Sequence, residues 1–197
     1  MIEHRLQLVT PPTFWALSDS DFEAHSRAMG QPVEQLSPYV QAATNHLEVV
    51  SNRRFAQQTW RMYLDYFPDT GAITIPYSPL VSVAHIRYTD SSGVQRTFPA
   101  TEYGVSTART PGQIILEYQK DWPTETLRHT DPIEIEFTCG WPDQASVPTP
   151  IRQAIRMLAS HFYEHREAVT IGTAAAVDEA ELPLAASALI APWRVFI

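Results

Sequence analysis

The stretch of this chain whose spacing could do chemistry is His161-Phe162-Tyr163-Glu164-His165. It fits H-x-x-E-H, the inverted zinc-peptidase pattern, and two histidines four residues apart share one helix face. Zinc held there would need a third ligand, and Glu167, Glu179 and Glu181 are the only glutamates in the remainder of the chain. With seven histidines in 197 residues, such a pattern also arises by chance. The expected reading is a solvated helix face, with no metal and no cofactor. Cys139 is the only cysteine, which rules out an intrachain disulfide and is compatible with a reducing compartment. It ends a strand-like run and reads as a buried side chain rather than a nucleophile. Gly93, Gly104 and Gly112 are scattered singly, so there is no phosphate-cradling loop. No catalytic constellation emerges, and the chain is not expected to be an enzyme.

Charge narrows the function further. Fourteen basic residues face 22 acidic ones, a formal net charge of −8. Affinity for nucleic acid comes mainly from neutralised phosphates, so an acidic chain is poorly suited to gripping DNA. It suits a conduit through which DNA slides. Arg53-Arg54 is a small basic cluster at a helix end, where cations complement the dipole. Met1 to Pro12 carries Glu3, His4, Arg5 and Gln7 and lacks the apolar core of a signal sequence. No apolar run approaches the roughly 18 residues that span a bilayer, so no membrane association is expected. The chain should be made and kept in the bacterial cytoplasm unless it leaves inside a particle.

The elements that would position these residues change period twice. Up to about residue 55 the chain reads helical. Ser18 followed by Asp21 forms a capping-box pattern, and Gly30 would end that short helix. Val33, Leu36, Val40, Ala43, Leu47 and Val50 then form one helical stripe, interrupted by Pro38. The helix either starts at Ser37-Pro38 or is kinked there. From about Thr59 to Cys139 the period is two. Trp60, Met62, Leu64 and Tyr66 alternate with Arg61, Tyr63, Asp65 and Phe67, followed by candidate strands 72–75, 80–88, 94–98, 114–118 and 133–137. Asp90-Ser91-Ser92-Gly93 reads as a hairpin turn. Trp60, Trp122 and Trp141 sit at strand ends beside Pro or Gly, as core or loop anchors. Thr149 is placed to cap, and Pro150 to open, a long helix with Ile151, Ala154, Ile155, Leu158 and Phe162 on its buried face.

The expected class is therefore α+β: a small helical bundle from N- and C-terminal helices (14–55 and 148–192) with an inserted antiparallel β section at about 57–140. An Ala-rich segment, Thr173 to Ala180, precedes a tail over 184–197. The helices on either side of the β section must pack on each other, because neither stripe is covered within its own section. The whole would form a single connector domain.

The order of motifs resembles the head–tail connector (adaptor) proteins of long-tailed phages and of phage-like gene transfer agents. It runs through Ala42-Ala43, Leu47-Glu48, Gln58-Thr59-Trp60, Ile75-Pro76 and Pro79-Leu80-Val81-Ser82-Val83. Tyr88-Thr89-Asp90, Tyr103-Gly104-Val105 and Trp122-Pro123 follow, then Gly140-Trp141-Pro142, Tyr163-Glu164-x-Arg166-Glu167 and Leu189 to Arg194. The resemblance covers roughly residues 33–194. The N-terminal helix lacks the acidic start seen in that family, and the tail continues past Arg194 with Val195-Phe196-Ile197. The resemblance implies a ring, usually of twelve copies, seated under the portal protein, extending the DNA channel and docking stopper or tail-completion proteins. DNA would pass through without specific binding. A DNA-packaging accessory that contacts DNA is the alternative, with a zinc metallopeptidase behind it.

Two surfaces follow. Leu189, Ile190, Pro192, Trp193, Arg194, Val195, Phe196 and Ile197 form an apolar terminus, where fraying and polar residues are the rule. It either folds back on its own core or docks on a portal or neighbouring subunit, with Trp193 and Arg194 as anchors. Glu164, Arg166 and Glu167 form a charged helix face that in a ring would meet the adjacent subunit.

Overall fold

The structure, a computed structural model, describes residues 4–25, 33–164 and 184–196. The chain divides into two compact units. Met1–Thr13, Ala56–Pro142 and Val195–Ile197 make a β unit; Phe14–Phe55 and Asp143–Arg194 make a helical unit. The α+β class expected from the periodicity is the class observed.

In chain order the strands are β1 (His4–Thr10), β2 (Gln58–Leu64), β3 (Ala72–Thr74), β4 (Leu80–Thr89), β5 (Gln95–Phe98), β6 (Tyr103–Ser106), β7 (Gln113–Leu116) and β8 (Ile133–Cys139). They form an antiparallel five-stranded sheet, β1-β2-β8-β4-β5, and a three-stranded one, β3-β7-β6. β8 is the central strand, and its alternation decides which face is core. Ile133, Ile135, Phe137 and Cys139 are fully buried, while Glu134, Glu136 and Thr138 face the other way. Burying one such large side chain contributes roughly 1.5–3 kcal/mol. The same cluster takes in Ile73, Ile75 and Ile114, so one core serves both sheets.

Two corrections to the sequence reading concern the ends of this unit. The section before residue 55 is not wholly helical: β1 pairs with β2 from His4↔Leu64 to Leu8↔Trp60. β1 is exposed along almost its whole length, so its order comes from backbone pairing and leaves little hydrophobic pattern to read. The β unit is therefore more than an insertion, since its edge strand comes from the N-terminus. The first predicted strand also stops short of Tyr66, which is 54% exposed; Phe67 packs on the core instead. The 90–93 hairpin forms as expected. Asp90 Oδ1 accepts from Ser92 N, Ser92 Oγ and Val94 N at 2.9–3.0 Å, and these bonds hold its carboxyl below the usual range. Gly140, after β8, has φ +103°, and a Cβ there would lie 2.2 Å from the Ala56 carbonyl oxygen. Only glycine fits.

The helical unit contains α1 (Asp19–His25), α2 (Val33–Ser51), α3 (Thr149–Glu164) and α4 (Leu184–Ile190). Ser18 Oγ accepts from Asp21 N at 3.1 Å, the expected cap of α1. α2 runs across Pro38 rather than starting there. Its stripe of Leu36, Val40, Ala43 and Leu47 is fully buried. α3 begins one residue earlier than predicted. The Pro148 carbonyl accepts from Arg152 N at 3.2 Å, so Pro148 is the cap position and Thr149 already helical. Thr149 Oγ1 accepts from Arg152 Nη2 at 3.4 Å instead of from a backbone N–H. α3 buries Ile151, Ala154, Ile155, Leu158 and Ala159 and packs on both α2 and α4. Phe162 is only half-buried. The segments flanking the β section do pack on each other. Gly30 and the Ala-rich 173–180 segment lie outside the described residues.

Candidate assembly surfaces

The C-terminal segment divides into held and presented residues. α4 turns its small and apolar side, Ala186 and Ile190, inward to 1% exposure or less, and packs on α3. A short 3-10 turn, Ala191–Trp193, follows, with Pro192 in its first positions. Arg53 fixes this turn. Its Nε donates to the Trp193 carbonyl at 2.5 Å, and its guanidinium lies 5.6 Å from the centre of the indole. Arg194 leaves the turn in an extended conformation. Val195 is buried, whereas Phe196 is 79% and Leu184 89% exposed. Leu189 and Trp193 are half-buried, Pro192 and Arg194 are exposed, and Ile197 lies outside the described residues. Of the eight candidate docking residues, Ile190 and Val195 are committed to the chain's own interior.

Arg53, which fixes the tail, and its neighbour Arg54 are set by the end of α2. Asn52 adopts φ +52°, and the Glu48 carbonyl accepts from Arg53 N at 3.2 Å. Arg53 and Arg54 are each under 10% exposed, so they are not a solvated pair beside a helix dipole. Arg54 donates to the Arg53 carbonyl at 2.9 Å and lies 3.8 Å from Glu48 Oε2. Glu48 Oε1 accepts from Phe55 N at 2.6 Å. Burial pushes the Glu48 carboxyl up to about 7, against the opposing pull of the Phe55 N–H and Arg54. Sequence reasoning missed this role of Glu48. The one signal for it was an acid placed before two arginines at a helix end.

The other predicted residues are placed as follows. Glu164 is exposed at the end of α3, and Arg166 and Glu167 lie outside the described residues. In the H-x-x-E-H stretch, His161 is half-buried and His165 is outside the described residues. Among the described residues no group of three or more His, Cys, Asp or Glu is placed to hold a metal. Likewise, no described helix is long and apolar enough to cross a membrane. Cys139 is fully buried. Trp60 Nε1 donates to Gln58 Oε1 and Trp122 Nε1 to the Thr70 carbonyl, both at 3.0 Å. Trp122 also stacks on Phe67 at 5.2 Å. These two tryptophans anchor the core rim.

No protein-family model matches the chain, and no curated protein matches it. Solved structures do. A chain in the virion of a native gene transfer agent particle superimposes with a TM-score of 0.78 at 23% identity, over 98% of this chain and 96% of that one. A chain in the neck of an empty particle, computed with C6 symmetry, gives 0.78 at 24% over the same shares. One in the neck of a native particle, computed with C12 symmetry, gives 0.76 at 23%. This chain has their fold. The 98% covered is more than either unit alone could supply, so the likeness extends over both.

Proposed function

We propose that this protein is a head–tail connector (adaptor) subunit in the neck of a phage or gene-transfer-agent-like particle. The observation that carries this reading is the end-to-end likeness to chains from such particles, 98% of this chain against 96% of theirs. The ordered motifs of the sequence support it independently. Particles whose necks are computed with sixfold and twelvefold symmetry support a ring of this chain, with twelve copies as the expected number. The role is assembly, without a bond-making step. The ring sits on the portal protein, extends the DNA channel and receives the stopper or tail-completion protein. A chain of net charge −8 gives DNA little to adhere to. It is assembled in the bacterial cytoplasm and leaves in the particle.

Within this reading, the presented residues of the C-terminal segment, Pro192, Arg194 and Phe196, meet the portal or the next subunit, and Glu164, Arg166 and Glu167 lie along a subunit contact. The deciding experiment removes the protein from particle-producing cells and images what is made. DNA-filled heads without tails are expected; normally tailed particles would overturn the reading. Phe196→Ala tests the docking surface: melting within about 0.5 kcal/mol of wild type, as for an exposed side chain, with reduced co-sedimentation on portal-bearing heads. Unchanged attachment would move the docking site elsewhere.

A further inference from the structure

Both outer edges of the five-stranded sheet are open. β1 pairs with β2 and β5 with β4, and among the described residues no backbone bond reaches the other side of either strand. An open edge is a row of N–H and C=O groups that fits an added strand, and proteins normally guard it with bulges, prolines or free charges. The first half of β4, which β5 does not cover, is guarded: its register shifts at Leu80/Ser82 and again at Val83/His85. β1 is not. Its register is unbroken from His4 to Leu8, and the shift comes only between Leu8 and Thr10, just before Pro11-Pro12. Arg5 is held by Asp65 and Asp131, each at 2.6 Å, and Arg96 on β5 lies 3.4 Å from Asp90. Neither arginine guards its edge as a free charge.

The apolar face of the sheet also runs out at β1. Leu6 packs on the core, and Leu8, on the same face of the strand, is 42% exposed. A strand added along β1 extends that face and covers Leu8. The two edges are matched in direction as well. Each neighbouring pair in the order β1-β2-β8-β4-β5 is antiparallel, so across five strands β1 and β5 run the same way. Copies that face the same way around an axis bring β5 of one against β1 of the next as a parallel pair, with evenly spaced bonds. Such a contact is head-to-tail and repeats until the ring closes, whereas β1 on β1 stops at two copies. A strand of another protein on β1 would leave β5 open. A second copy answers both edges with one contact.

We propose that β1 of one copy pairs in parallel with β5 of the next, so that the five-stranded sheet continues from subunit to subunit. β5 offers only four residues, so a single junction is weak, and closure of the ring holds each copy from two sides. This contact rests on the ring of the proposed function, yet the two fail separately. The presence of the protein in particles tests the neck; the pattern of cross-links tests the edge.

Cysteine pairs read the contact in the full-length protein assembled into particles. Gln7→Cys is combined in turn with Gln95→Cys, Arg96→Cys and Thr97→Cys, and the particles are treated with a short bismaleimide. At least one pair should give ladders of three or more linked copies, which Gln7→Cys alone, with Cys139 buried, cannot form. Particles that contain the protein but yield no ladder from any pair overturn the contact and leave the neck reading standing. Particles that lack the wild-type protein overturn both. Dimers from Gln7→Cys alone would replace the contact with a twofold one, β1 on β1. Proline separates pairing from folding. Successive N–H groups of a strand point to opposite edges, so of Gln7→Pro and Leu8→Pro one removes a bond to β2 and the other only an outward donor. The variant that melts near wild type should enter particles more than about tenfold less well; normal entry overturns the contact. Should both melt low, amide exchange of the wild-type protein decides. Residues 4–8 and 95–98 should both gain protection on assembly. Protection at one edge alone, which would assign that edge to a strand of another protein, or at neither, overturns the contact.

Discussion

The outer face of β8 and the polar ridge of α3 treat charge in opposite ways. On β8, Glu136 accepts from Arg61 Nε at 2.8 Å, and Glu134 lies 3.0 Å from His85 Nε2 and 3.8 Å from Arg61 and Arg87. Hydrogen bonding to Glu136, with both carboxylates nearby, raises the Arg61 guanidinium. Across the strands, the sheet has closed its own electrostatic account. On α3, among the described residues, Arg152 and Arg156 reach only neutral oxygens of their own helix, Thr149 Oγ1 and Gln153 Oε1, each at 3.4 Å. A surface whose charges are paired within the sheet fixes its strands in register, whereas arginines held only by neutral oxygens keep more of their rotamer freedom.

The comparison can be broken first at the base of the closed surface. Phe137 lies on the inward side of β8 at 0% exposure, so Phe137→Ala should cost about 3–5 kcal/mol in urea unfolding. A cost below 1 kcal/mol would mean that the sheet core is not where the β unit gains its stability.

The next effect comes from the helical unit and depends on pH. Glu48 titrates near 7 when folded, against its ordinary value of 4.5. Below 4.5 the carboxyl is protonated in both states and costs nothing. As pH rises from 4.5 through 7, the unfolded chain ionises more readily, and stability falls by about 3 kcal/mol. Glu48→Gln keeps an acceptor for Phe55 N and should flatten that part of the pH–stability curve. An unchanged slope would assign it to another group.

A smaller effect is expected where the tail is fixed. Arg53→Ala removes the bond to the Trp193 carbonyl and the contact with its ring, a loss of about 1–3 kcal/mol. Protease cleavage near residue 193 should speed up accordingly, and unaltered cleavage would show that Arg53 does not hold the segment. The smallest effect belongs to the closed face itself. Arg61→Ala should change stability by less than about 1 kcal/mol, because its ion pairs are partly open to solvent. It should leave co-sedimentation on portal-bearing heads untouched. An assembly defect in Arg61→Ala would erase the distinction between the two faces.

Sequence by itself determined the elements whose order comes from burial. The period-two run of β8, the stripes of α2 and α3, the Asp90–Gly93 hairpin and the cap at Ser18 follow from local rules that leave a pattern in the residues. The ordered motifs also carried the resemblance that the fold later matched. What escaped was order imposed from a distance. β1 shows little pattern because backbone pairing with β2, not burial, holds it, and Phe67 replaced Tyr66 because the strand ended at Leu64. The pairing of Arg53 with Trp193 joins residues 140 positions apart, and no local spacing encodes such a contact. Likewise, the four-residue spacing of Arg152, Arg156 and Ser160 says nothing of what surrounds them. Only the tertiary structure decided that Arg152 Nε, Arg156 Nε and Ser160 Oγ are shielded and, among the described residues, unpaired, because satisfaction of a polar group depends on everything that packs around it.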